Sequence, residues 1–212
     1  MKSLLFVWYW LIAPLSLAQL PVEMVVGTQR TSLDILFFKS FKNSQGEVSP
    51  WLFFNRNRAV YDPTSKQSSF GFTEAISYQP TRWKGFAPVG VVQWVSTGLF
   101  PKVGLQKVVA RENILGFSWM VLETKRDPRL DYFLLIRWTP VLKGQIKVFS
   151  QVEWIHSFAA TRICQPTQST QRGRLGLKYT AVQAGFGLDR SRVSGSDGII
   201  FQNWGGFLRY EF

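Results

Sequence analysis

The single histidine of this 212-residue chain sits in Glu153-Trp154-Ile155-His156-Ser157, next to a hydroxyl and three residues from a carboxylate. These are the groups that acyl transfer uses: a hydroxyl nucleophile, an imidazole base and an acid to orient it. The spacing argues against that chemistry. The segment alternates as a β-strand does, and neighbours on a strand point to opposite faces. Ser157 and Glu153 therefore fall on the face away from His156, and uniting them would need a bulge at Ile155. His156 shares its face with Trp154 and Phe158, so its expected place is an aromatic belt. Cys164 is the one cysteine; it allows no internal disulfide and has no redox spacing around it. One His, one Cys and scattered acids supply no metal-ligand set. Ser194-Gly195-Ser196-Asp197-Gly198 offers a cation a single carboxylate. Gly85, Gly90, Gly104 and Gly116 match no phosphate cradle and are expected to relieve crowding or allow bends. No catalytic residue, cofactor or metal is assigned, and an enzyme is the least favoured reading.

Composition sets the frame that must position any site. Aromatic residues make up 16% of the chain, with nine Trp, and charged residues only 18%, below the roughly 25% usual for soluble domains. Lys and Arg number 25 against 13 Asp and Glu, a net charge of +12, which favours anionic surroundings. The opening MKSLLFVWYWLIAPLSLA has a basic Lys2, an apolar run from Leu4 to Leu17, and small residues Ser16 and Ala18 before a cleavage point. Residues 1–18 are thus expected to be a cleaved secretory signal peptide, with residues 19–212 forming one domain. The apolar run is too short to span a bilayer as a helix, and no Cys follows Ala18 to carry a lipid. Export argues against nucleic acid as partner and brings anionic lipid and small anions forward.

Past residue 18 the recurring period is two. In RGRLGLKY, Arg174, Gly176 and Lys178 share one face, and Leu175, Leu177 and Tyr179 the other. In VQAGFGLD, Val182, Ala184, Phe186 and Leu188 oppose Gln183, Gly185, Gly187 and Asp189. In GQIKVFSQVEWIHSF, Ile146, Val148, Val152 and Trp154 oppose Lys147, Phe149, Gln151 and Glu153. A transmembrane β-barrel turns such strands apolar side to lipid and polar side to lumen, with aromatic girdles at both interfaces. Closing the sheet satisfies every backbone polar group without water. The expected fold is all-β: an antiparallel up-and-down transmembrane barrel in the outer membrane.

The chain ends GGFLRYEF, with Leu208, Tyr210 and the terminal Phe212 on one face. This ending resembles the C-terminal signature of Gram-negative outer-membrane β-barrel proteins, which the barrel-insertion machinery recognises. Such a resemblance implies that machinery as a partner through Leu208, Tyr210 and Phe212. LFFKSF, GFTEAISY and GGFLRYEF also resemble small outer-membrane proteins of Bacteroidota, a likeness that implies no activity.

Eleven segments read as strands: Ser32–Phe41, Trp51–Tyr61, Phe70–Gln79, Phe86–Thr97, Phe100–Ala110, Ile114–Thr124, Leu130–Thr139, Gly144–Phe158, Gln171–Tyr179, Ala181–Arg190 and Ile199–Phe212. Bacterial barrels have even counts, so Val22–Thr28 is taken as a twelfth, with ten strands as the alternative. With both termini periplasmic, Ser157–Thr170 and Ser191–Gly198 become long outer loops and Thr180 a tight inner turn. Lys42–Pro50 is long for an inner turn. Two strands resist a facing. Asn55, Arg56, Asn57 and Arg58 are polar on both faces, as in a strand that rises above the lipid band. Glu74 shares a face with Phe72, Ile76 and Tyr78, so either that face is luminal or the register shifts at Gly71.

The non-lipid faces carry the basic Arg137, Lys147, Arg172, Arg174, Lys178 and Arg209 and the acidic Asp131, Glu153, Asp189 and Glu211, joined by Gln145, Gln151, Gln183 and Ser118. Three functions fit. Ion pairs plug the lumen of a structural or accessory barrel. Or the basic excess lines a narrow channel that favours small anions. Or the outer loops bind lipopolysaccharide through Arg162, Arg190 and Arg192. A barrel hydrolase is the weakest alternative, because the His156 segment does not match outer-membrane phospholipases, lipid A deacylases or omptin-like proteases.

Overall fold

The computed structural model of the protein describes residues 20–160, 166–193 and 200–212. The expected signal peptide 1–18, Arg162, Cys164 and the Ser194–Gly198 loop lie outside these residues. The strands are β1 (Pro21–Gly27), β2 (Thr31–Lys42), β3 (Val48–Asp62), β4 (Gln67–Tyr78), β5 (Phe86–Val95), β6 (Gly98–Arg111), β7 (Ile114–Glu123), β8 (Arg129–Trp138), β9 (Val141–Lys143), β10 (Ile146–Ala159), β11 (Pro166–Tyr179), β12 (Val182–Val193) and β13 (Ile200–Glu211). The short β9 only decorates the foot of β10. The other twelve close a ring, with each strand antiparallel to its neighbours and β13 paired to β1 from Pro21↔Glu211 to Gly27↔Gly205. The twelfth strand inferred from VEMVVGT is therefore the one that seals the barrel, and the ten-strand alternative is excluded.

Period two sets the facing. On β12, Phe186 is 82% exposed on the outer wall, whereas its neighbour strand position Gln183 is 0% exposed inside. Leu175, Leu177, Trp204, Leu208, Tyr210 and Phe212 are likewise exposed on the outside. Ser118 departs from expectation: it faces outward with Met120, because Phe117 and Trp119 take the inner positions of β7.

Two strands correct the expectations. On β3, Phe54, Arg56 and Arg58 point inward, while Asn55 and Asn57 sit on the outer face; the strand does not rise clear of the lipid band. Its outward Trp51 and Tyr61 are ten positions apart. At ~3.3 Å per residue and a tilt near ~40°, that spans about 25 Å, the height of an apolar band. The two asparagines flank its midpoint. On β4, the register runs unbroken through Gly71, from Asp62↔Gln67 to Trp51↔Tyr78. Neither alternative for Glu74 holds. Its face is the outer one, with Ile76 and Tyr78 exposed beside it and Ala75 and Ser77 buried inside.

The two rims also differ from expectation. β10 and β11 extend to Ala159 and Pro166, absorbing most of the predicted long loop. There Ser157 pairs with Gln168, and the Thr170 and Ser191 hydroxyls hydrogen-bond at 3.0 Å. Past the lipid band both strand faces are polar, so the ladder continues after the alternation has vanished. Connections of similar length join the strands at both rims. At the rim of the termini, Lys42–Pro50 tightens to an Asn43–Glu47 turn held by the Asn43 side chain, which accepts from the backbone of Gln45 and Glu47.

Close approach of neighbouring strands demands glycine at two places. A Cβ on Gly205 would lie 1.9 Å from the Val26 carbonyl oxygen, and one on Gly104 would lie 2.0 Å from that of Met120. At both positions the backbone of the neighbouring strand leaves no room for a side chain. Gly205→Ala is therefore expected to destabilise the barrel by roughly 1–3 kcal/mol, the scale of overpacking, measured by urea unfolding in lipid vesicles. Gly90→Ala, which meets open space, should stay within about 0.5 kcal/mol of the parent.

Candidate functional site in the barrel interior

The interior divides into an ionic half and an apolar half. In the ionic half, four arginines and four carboxylates alternate in one chain: Glu23, Arg174, Asp189, Arg58, Asp34, Arg56, Glu153 and Arg172. Arg174 Nε donates to Glu23 Oε1 at 2.9 Å and its Nη1 to Asp189 Oδ1 at 2.7 Å. Arg58 Nη2 donates to Asp189 Oδ2 at 2.8 Å, and its Nη1 approaches Asp34 at 3.4 Å. Arg56 binds Asp34 through Nε and Nη2, and its Nη1 donates to Glu153 Oε2 at 2.8 Å. Arg172 shares that Glu153 oxygen at 3.2 Å. β3 and β10 stand six strands apart in the ring of twelve, so the Arg56–Glu153 bond ties opposite walls. All eight side chains are largely shielded, and charge-assisted bonds of this kind are strong where water is excluded.

The apolar half was not legible in the sequence. Phe54, Ala75, Val89, Val91, Phe117, Trp119, Val121, Phe133 and Leu135 form a buried cluster inside the barrel. Phe54 of β3 stacks on Phe117 of β7 at 5.3 Å between centroids, and Phe38 of β2 meets Phe117 at 4.9 Å. These rings also cross the lumen. Strands β5, β7 and β8 carry apolar residues on both faces, so no alternation announced which side was inside.

The remaining predicted residues lie towards the two mouths. Near the rim of the termini, Arg137 and Arg209 both reach Gln151, with Arg137 Nε donating to its Oε1 at 2.8 Å. Both guanidinium groups stand over the Phe149 ring, at 5.8 and 5.6 Å. Lys178 pairs with Glu211, and Lys147 lies directly across from Lys178 on β10. Four cations thus gather at this end around Glu211, and Glu23, already bound to Arg174, stands directly across from Arg209. Towards the opposite mouth, Asp131 and Glu123 hold Lys102, which also donates to Gln93 at 2.7 Å. Arg56, Arg58, Lys102, Glu23, Asp34 and Glu123 were missed. β2, β3, β6 and β7, which carry five of them, lack clean alternation, and β1 follows from the even strand count rather than from its own pattern. Gln145 lies in an exposed turn and lines nothing.

A recess of about 80 Å³ opens among Phe54, Lys102, Trp119 and Phe133, and another of about 260 Å³ lies by Leu115, Arg137, Lys178 and Glu211. They share no lining residue. Between them on β7 and β8 stand Phe117 and Leu135, 1% and 0% exposed.

His156 does not assemble a hydrolytic site. It faces outward near Phe158, 6.1 Å between ring centroids, while Glu153 points into the ionic chain. The irregularity in β10 falls between Ser157 and Phe158, and Ile155 pairs regularly with Phe133 and Thr170. Among the described residues no three metal-ligating side chains gather. Arg190 and Arg192 are exposed on the outer face of β12 near the rim opposite the termini. Leu208 and Tyr210 cover the outside of the closing seam, opposite Met24 and Val22.

No family model matches the chain, and no curated protein matches it. Solved structures do. The KdgM porin in complex with disordered oligogalacturonate aligns with a TM-score of 0.54 at 11% identity, covering 92% of this chain and 99% of that one. The NanC porin aligns with a TM-score of 0.54 at 9% identity, covering 91% and 99%. These likenesses establish the fold. The protein is a closed twelve-stranded outer-membrane β-barrel, and its apolar outer wall is the surface such a barrel turns to lipid.

Arg56→Ala leaves Asp34 only Arg58 and Glu153 only Arg172 as a cationic partner, so it is expected to cost about 2–3 kcal/mol of unfolding free energy. The Arg56→Ala, Glu153→Ala double-mutant cycle should show a coupling of roughly 1–3 kcal/mol. Urea titration of the vesicle-embedded barrel measures both.

Proposed function

We propose that this is an outer-membrane barrel of structural or accessory type whose lumen is plugged at rest. The observation that supports this reading is the burial of Phe117 and Leu135 between two recesses that share no lining residue, beside the Arg56–Glu153 bond between opposite walls. Buried side chains that pair across a lumen make the wall rigid and leave no water column. Its partners on this reading are membrane lipid and lipopolysaccharide, whose phosphates suit Arg190 and Arg192 at the outer rim. The barrel-insertion machinery is the further partner, meeting the outward Leu208, Tyr210 and Phe212. The likeness to Bacteroidota barrels adds no activity. The barrel performs no hydrolysis, a reading supported by the separation of His156 from Glu153.

A narrow anion-favouring channel is the second reading. It is favoured by the charge at the terminus-side mouth, where Arg137, Lys147, Lys178 and Arg209 outnumber Glu211 and Glu23, and by the fold shared with a porin in complex with oligogalacturonate. Cations lining a constriction lower the barrier for anions. The two readings part in a planar bilayer. The resting-plug reading expects the wild type to pass little current, and Phe117→Ala with Leu135→Ala to raise conductance at least tenfold. Under a salt gradient, the reversal potential of the opened variant should show anion preference. A wild type that conducts freely favours the channel instead.

A further inference from the structure

We infer that the outer face of β3 and β4 is a lateral contact between two copies of this chain, centred on Asn55, Asn57 and Glu74. Two strands independently put this patch at mid-membrane. Asn55 and Asn57 flank the midpoint between the outward Trp51 and Tyr61 on β3. Glu74 lies midway between the outward Phe70 and Tyr78 on β4. Trp51 meets Tyr78 at 5.1 Å at one end of the band, while Phe72, directly across from Asn57, meets Trp94 at 5.7 Å beside the patch.

Within the patch, Asn57 Nδ2 donates to Asn55 Oδ1 at 2.9 Å, and Asn55 Nδ2 donates to Glu74 Oε1 at 3.2 Å. The ladder is incomplete in a single barrel. Asn57 Oδ1 has no donor, although it is shielded from solvent. Glu74 is exposed, and its second carboxylate oxygen makes no hydrogen bond among the described residues. Asn55 is covered, so the exposed Glu74 carboxylate is the group that faces hydrocarbon, where a charge at this depth is costly. The outer wall six strands away carries Leu175 and Leu177 instead.

A second copy is the occupant that the chemistry fits. The partly exposed Asn57 offers its second N–H and the exposed Glu74 a spare acceptor, so the patch is complementary to itself. A two-fold axis along the membrane normal brings the same depth of each copy together, as an isologous contact requires. The rings around the ladder then pack as its apolar border. This inference is independent of whether the lumen is open.

The test uses the full-length chain with Cys164→Ser, refolded into phosphatidylcholine–phosphatidylglycerol vesicles. Ile76→Cys lies next to Glu74 on the same face, and Leu175→Cys lies on the opposite wall. Oxidation should cross-link the Ile76→Cys protein into dimers at least tenfold more than the Leu175→Cys protein. Adding Glu74→Leu and Asn57→Ala should abolish that excess. These changes remove polar groups from lipid, so the variants should remain folded, as shown by heat-modifiable migration in gels. Equal cross-linking at both walls, or an excess that survives loss of Glu74 and Asn57, would overturn the inference.

Discussion

The alternating chain from Glu23 to Arg172 is the constraint on which the rest of the interior depends. A charged group shielded from water is tolerated only with a partner of opposite sign and filled hydrogen-bond valences. Here four positive and four negative groups meet in sequence, and each arginine except the terminal Arg172 serves two carboxylates. The chain is neutral as a unit. It therefore does not account for the basic excess of the protein. Inside the barrel, that excess is left at the terminus-side mouth, with Arg137, Lys147, Lys178 and Arg209. Charge that locks the wall and charge that could attract an anion are carried by different residues at different depths.

The aromatic cluster answers a different need. Twelve strands enclose more space than small side chains can fill, and eight charged groups occupy only one side of it. Phe54, Phe117, Trp119 and Phe133 take up the rest, touching across the lumen rather than along one strand. Packing and ion pairing meet on β3, where Phe54 belongs to the cluster and Arg56 and Arg58 to the ionic chain.

The legible parts of the fold were those on which lipid imposes a strict rule. On β12 every outward residue from Val182 to Leu188 is apolar and every inward one polar or glycine, so facing followed from the sequence alone. β10, β11 and β13 read almost as cleanly. The rule fails in three physical situations. Beyond the lipid band both faces meet water, which hid the extensions of β10 and β11. Where the interior is itself apolar, as behind β7 and β8, both faces are greasy, and Ser118 faces outward although it is the polar member of its pair. Where the outer face is polar, as with Asn55 and Glu74, alternation inverts its meaning. No local pattern could announce that Arg56 reaches Glu153, because their strands meet only through closure of the ring.

β3 departs from the alternation rule on both faces at once. Its inner side chains carry the cross-lumen tie, and its outer ones carry amides at mid-membrane depth. An apolar outer face would have given the barrel the same closure at lower cost in lipid, as β11 and β12 demonstrate. Nor do Asn55 and Asn57 contribute to the ionic chain, since they point away from it. Barrel stability therefore offers no reason for these residues. What distinguishes this strand is that each face presents polar groups to a place without bulk water. Inside, the partners are supplied by the opposite wall. Outside, Asn55 finds its acceptor in Glu74 of the neighbouring strand, while the second oxygen of the exposed Glu74 is left for something beyond the barrel.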